Sequence, residues 1–124
     1  MDEKSVLIVD DEGTFLMAIK RILDGPELAV ETAENFEDAI ALINDRDFNF
    51  VITDLRLTDV INTEGLDILK HIRKHRPGTK VIILTGYGNT RIMEEAYSMG
   101  ASLYLEKPVS GNILRSILVN SGGA

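Results

Sequence analysis

The sequence contains no cysteine, which excludes disulfide bridges, thiolate catalysis and cysteine-based zinc sites. No apolar run approaches the ~20 residues that a membrane-spanning helix needs. Basic residues are in deficit: 13 Lys and Arg stand against 20 Asp and Glu, for a net charge of −7. General binding to nucleic acid or to an anionic membrane needs the opposite balance. There is no GxxxxGK loop to cradle nucleotide phosphates, so NTP hydrolysis is not expected. The opening MDEKS is acidic and leads straight into a strand-like run, unlike a signal peptide. A soluble, cytoplasmic protein is expected.

What is present suffices for one core. A chain of 124 residues that is 44% apolar and 27% charged suits a single globular domain and not a disordered one. Short apolar runs alternate with longer amphipathic stretches, the pattern of βα units around a parallel sheet. Strands are predicted at Val6 to Val9, Leu28 to Thr32, Phe50 to Thr53, Lys80 to Leu84 and Leu103 to Leu105. The second of these is the most polar, as an edge strand would be. Helical spacing follows each strand. Phe15, Ala18, Ile19, Ile22 and Leu23 form one stripe within Thr14 to Leu23. Asn35 can cap a helix carrying Phe36, Ala39, Ile40 and Ile43. Leu66, Leu69 and Ile72 mark a third helix, stopped near Pro77 and Gly78. Asn89 or Thr90 can cap a fourth with Ile92, Met93, Ala96 and Met99, ended by Gly100. Asn112 to Val119 gives the fifth. Right-handed crossovers leave few topologies for such a chain. The expected fold is α/β, a doubly wound five-stranded parallel sheet in the order 2-1-3-4-5, with ligands at the carboxyl ends of the strands.

Those strand ends carry the chemistry. Strand 1 runs into Asp10 and Asp11, strand 3 into Asp54, strand 4 into Thr85, and strand 5 into Lys107. In a parallel sheet these ends share one rim. Taken singly, each residue has an ordinary reading. Asp54 could form a turn, Asp10 and Asp11 could cap the first helix, and Thr85 and Lys107 could be surface residues. Their convergence sets the functional reading apart. Three carboxylates together repel unless protonated or bound to a cation, and Mg2+ is a hard ion that uses few carboxylates. Lys107 supplies a compact positive charge for an anion, and Thr85 a hydroxyl. Asp54 can attack phosphorus to form an acyl phosphate.

Four segments, VLIVDDE, VITDLRL, VIILTGYG and LYLEKP, resemble the motifs of two-component response-regulator receiver domains, with near-family spacing over about Val6 to Leu118. The resemblance implies a flavodoxin-like receiver domain over residues 1–120, with 121–124 a tail or the start of a linker. It implies phosphorylation on Asp54 by a histidine kinase or phosphotransfer protein. Magnesium would be held by Asp10, Asp11, Asp54 and the backbone carbonyl of Arg56. Lys107 would bind the phosphoryl group, Thr85 and Tyr104 would form the switch, and the Lys107–Pro108 bond would be cis. The output would run through the surface of helix 4, strand 5 and helix 5, by homodimerisation or partner docking. No nucleic acid or membrane would be bound by this domain. Such a domain assists its own phosphorylation and dephosphorylation but turns over no external substrate. A binding-only receiver would not need the full residue set. A magnesium phosphatase would need a general acid where Arg56 stands, and a cap domain.

The chain departs from the family pattern at Thr58, where proline is usual, and at Gly65, which arrives about three residues late. The segment Thr58 to Glu64, bearing Asp59, is thus an unusual loop beside the site. Val109 replaces a common aromatic. Three other features read as structural. His71 and His75 are four apart but lack a metalloprotease glutamate. Lys70 to Arg76 is a basic helix end. Gly86 and Gly88 make a permissive loop without a nucleotide fingerprint.

Overall fold

A computed structural model of the chain describes residues 3–55, 64–86 and 88–120. Its elements are β1 (Lys4–Val9), α1 (Gly13–Leu23), β2 (Leu28–Ala33), α2 (Phe36–Asp45), β3 (Phe50–Thr53), α3 (Glu64–His75), β4 (Lys80–Thr85), α4 (Thr90–Ser98), β5 (Leu103–Glu106) and α5 (Gly111–Asn120). All sheet pairings are parallel, in the order β2-β1-β3-β4-β5. The expected topology is the observed one, and β2 lies at an edge. The remaining expectations for Arg56, for Thr58 to residue 63 and for 121–124 fall outside the described residues.

The central strands are apolar throughout because both faces are covered. Successive side chains point to opposite sides, and two separate cores result. Leu7, Val9, Val51, Val81 and Ile83 face α2, α3 and α4, meeting Ala39, Ile43, Leu66, Leu69, Ile72 and Ala96. Val6, Ile8, Phe50, Ile52, Ile82 and Leu84 face α1 and α5, meeting Leu16, Ile19, Leu23, Leu114 and Leu118.

Helix starts follow the sequence chemistry. Asn35 Oδ1 accepts from the Asp38 amide at 2.8 Å, and Asn89 Oδ1 from the Ile92 amide at 2.9 Å. Gly100 follows α4 with a φ of 105°, a conformation that favours glycine. One inner face differs from expectation. On α1 the buried residues are Leu16, Ile19 and Leu23, whereas Ala18 is exposed and Ile22 is 47% exposed. The helix is turned toward the sheet, and Ile22 lies on the outer seam with α5, where its side chain packs over Gly111.

At the far edge, Tyr97 of α4 reaches over β5. Its hydroxyl accepts a hydrogen bond from the Tyr104 amide at 2.9 Å.

Candidate functional site

Backbone hydrogen bonds extend the sheet ladder by one residue at each strand end, and this positions the polar rim. The Asp10 amide donates to Ala33 O (3.1 Å), the Asp54 amide to Val9 O (3.2 Å) and the Lys107 amide to Thr85 O (3.0 Å). Asp10, Asp54, Thr85 and Lys107 are therefore brought together by register. They do not depend on loop conformation.

Asp10, Asp54 and Thr85 are buried, and burial of polar groups is tolerable only with partners. Thr85 Oγ1 donates to Asp54 Oδ1 at 2.6 Å. Lys107 Nζ donates to Asp10 Oδ2 at 2.6 Å and to Asp54 Oδ2 at 3.0 Å. The ammonium also lies 4.7 Å from the centre of the Phe15 ring, a favourable cation–π placement. Asp10 Oδ1 accepts from the Glu12 amide at 2.9 Å. Neither Asp10 nor Asp11 is the N-cap of α1: that residue is Glu12, whose side chain makes no cap hydrogen bond.

Asp11 is exposed. Its pKa is raised, first by partial desolvation and then by the neighbouring Asp10 carboxylate. Burial pulls the Lys107 pKa down, but its hydrogen bonds to the Asp10 and Asp54 carboxylates outweigh it, and the net shift is upward. A raised lysine pKa stabilises the fold fully below the ordinary value of 10.5, and the benefit fades as pH climbs through the folded-state value. Denaturation of the wild type and Lys107→Met should therefore show a stability gap at neutral pH that closes well above pH 10.5. A gap that is constant across that range would place the stabilisation elsewhere.

The carboxylates that group by themselves are Asp10, Asp11 and Glu12, whose ligand oxygens lie within 4.8 Å of one another. Glu12 was not singled out by sequence reasoning. The third acidic residue in the run Asp10-Asp11-Glu12 was the available signal. Asp54 stands across the Lys107 ammonium from this group.

Tyr104 completes the arrangement. Its ring is buried, its hydroxyl has no hydrogen-bond partner among the described residues, and desolvation raises its pKa. The phenol rests directly on Gly88. A Cβ there would fall 2.7 Å from Tyr104 Cζ and 3.2 Å from Thr85 Cγ2. Thr85 is thus already on Asp54, and Tyr104 is already turned inward. The Lys107–Pro108 bond is cis. Val109 packs against the α1–α5 core.

The family model for the response regulator receiver domain matches residues 6–119. The acid tolerance regulatory protein ActR of Rhizobium meliloti (strain 1021) is 38% identical over 98% of this chain and 61% of its own length. The photosynthetic apparatus regulatory protein RegA of Rhodobacter capsulatus is 33% identical over 98% of this chain and 65% of its own. The chain thus spans under two thirds of these relatives. A CheY-like receiver domain from Methanospirillum hungatei JF-1 superposes with a TM-score of 0.86, at 33% identity over 94% of this chain and 91% of that one. A Burkholderia pseudomallei response regulator, solved with a phosphorylated aspartic acid, a calcium ion and citrate, gives a TM-score of 0.84 at 27% identity, over 96% of this chain and 68% of that one.

Proposed function

Because the chain belongs to the response regulator receiver domain family, we propose that Asp54 accepts a phosphoryl group and that the domain relays this event to the surface of α4, β5 and α5. The observation that carries this reading is the setting of Asp54. It is a buried carboxylate with one oxygen on the Thr85 hydroxyl and the other on the Lys107 ammonium. The donor would be a histidine kinase or phosphotransfer protein.

In the transfer, an Asp54 oxygen attacks phosphorus and an O–P bond forms. The P–N bond to the donor histidine breaks, and its electron pair stays on the imidazole nitrogen, which is then protonated by solvent. Thr85 Oγ1 and Lys107 Nζ are placed to take up the phosphoryl oxygens as charge gathers on them. As the group enters, the direct contacts of Thr85 and Lys107 with Asp54 give way to contacts with phosphoryl oxygens. Hydrolysis reverses the modification: water attacks phosphorus, phosphate leaves and the Asp54 carboxylate returns. The domain acts on itself and turns over no external substrate.

An oxygen-only donor set with three clustered carboxylates fits the magnesium that the family implies. Asp10, Asp11, Asp54 and the Arg56 carbonyl are its proposed ligands, with Glu12 beside them. When bound, the ion offsets negative charge on the phosphoryl group and the carboxylates. Asp11→Ala should weaken magnesium binding at least about tenfold, since it removes one anchor of a hard cation. Calorimetric titration checks this, and an unchanged affinity would place the ion elsewhere.

The relay rests on Thr85, Tyr104 and Gly88. A phosphoryl oxygen placed between Asp54 and Thr85 fixes the hydroxyl, and the adjoining phenol seat holds Tyr104 inward. The bound group selects this packing from a pre-existing equilibrium. Amide exchange with and without beryllofluoride tests the reading. Protection should change in residues 86–90, β5 and α4, and less in α1 and α2. Gly88→Ala closes the Tyr104 seat. It should leave phosphorylation within about threefold of wild type while abolishing the change in β5. Protection changes confined to α1 and α2 would show that the signal leaves by another route.

A further inference from the structure

His71 and His75 stand on successive turns of α3, on one face of the helix. Their ring centroids lie 4.4 Å apart with the planes at 41°. Asn44, near the end of α2, completes the group, with its Oδ1 2.7 Å from His71 Nε2. Asn44 is itself held in place, because Arg76 Nη2 donates to its backbone oxygen at 3.0 Å. We propose that His71, His75 and Asn44 form a binding site for a divalent transition-metal ion of the zinc class, joining the end of α2 to the end of α3.

The donor chemistry selects the ion. Imidazole nitrogen suits zinc, nickel and copper, whereas magnesium prefers oxygen alone. The site is therefore chemically distinct from the carboxylates around Asp54. The spacing also fits, because histidines four apart on a helix can turn nitrogens toward one point. Partial burial and the positive neighbours His75, Arg76 and Lys74 push the His71 pKa down. The ring is neutral at neutral pH, as a ligand must be. The 2.7 Å contact is an Nε2–H···Oδ1 hydrogen bond, so ligation requires the shift to the Nδ1–H tautomer, and the ion takes the place of that proton between Nε2 and Asn44 Oδ1. Local positive charge opposes a cation, but Arg76 is largely occupied. It donates to Ile43 O and Asn44 O and pairs with Asp47 at 3.0 Å. His75 is also the last residue of α3, where free carbonyl oxygens favour positive charge.

Calorimetric titration of the untagged protein with zinc, in excess magnesium to occupy the carboxylate site, tests the proposal. One zinc per chain should bind with about micromolar affinity. His71→Asn and His75→Asn should each weaken it at least tenfold. Asn44→Asp should tighten it by adding a charged ligand. Both histidines are on the surface, so each variant should melt close to wild type without zinc. Zinc should raise the Tm of wild type more than that of His75→Asn. An affinity no tighter than about millimolar, or equal zinc binding by wild type and His75→Asn, would overturn the site. Unchanged binding by Asn44→Asp would remove Asn44 from it.

Discussion

Asp54→Asn will keep its fold and lose its phosphoryl label. Treated with a small phosphodonor in magnesium, the wild type should carry one phosphoryl group on the peptide containing Asp54, and the variant should show background only. The change is nearly isosteric, so Thr85 can still donate to the retained oxygen. The amide nitrogen has no available lone pair for attack, and the chemistry stops at the nucleophile. Folding should not suffer. The wild-type site places Asp54 close to Asp10 and Asp11, and Asp54 contributes to the upward shift of the Asp11 pKa. Removing that charge relieves repulsion among the carboxylates and gives up the 3.0 Å Lys107–Asp54 ion pair, while Lys107 keeps its 2.6 Å contact with Asp10. Without magnesium, the two effects oppose each other and the variant should melt close to the wild-type temperature. Mass spectrometry with equal labelling of the two proteins would show that another side chain accepts the group.

Gly65→Ala should have the largest effect on stability. Gly65 begins the buried face of α3 and lies against the chain that leaves β3. Its amide donates to Leu55 O at 3.1 Å. An added Cβ would fall 2.7 Å from Leu55 Cα and 2.9 Å from the Asp54 carbonyl carbon, and would press on Asp54 O. These are backbone atoms, and no flexible side chain can yield. Overpacking of this kind costs about 3 kcal/mol, or roughly 10 °C in Tm for a domain of this size. The displaced backbone carries Asp54, so the phosphorylation rate should fall with the Tm. Gly78→Ala is the matched control, because nothing lies within 4 Å of a Cβ there. Thermal melts of the pair check the argument. Equal Tm values for both variants would mean that α3 can retreat from β3 at little cost.

Much of this could be read from the residues alone. Asp10, Asp54, Thr85 and Lys107 follow directly from strand ends, because register in a parallel sheet fixes where the next side chain goes. The fold was legible for the same reason: apolar runs and helical stripes report burial locally. Gly65 and Gly88 were not. Glycine announces permissive backbone, but what lies opposite it is settled by distant segments, here the Asp54 carbonyl and the Tyr104 phenol. The seat of Tyr104 was thus hidden behind a loop that looked merely permissive. The turning of α1 that exposes Ile22 was equally invisible, since its stripe fits two adjoining faces and α5 decides between them. Asn44 beside His71 is a contact between two helices that no spacing rule connects.

The hydroxyl of Tyr97 has a consequence for how the molecule meets copies of itself. β5 is the last strand of the sheet, and an outer strand offers unpaired amides to any extended chain that drifts alongside. The Tyr104 amide is one such donor, and Tyr97 occupies it from above. A displacement of α4 away from β5 lifts this cover and leaves a short adhesive margin. The helix that would carry the signal outward thus also covers one donor on the open edge of the sheet.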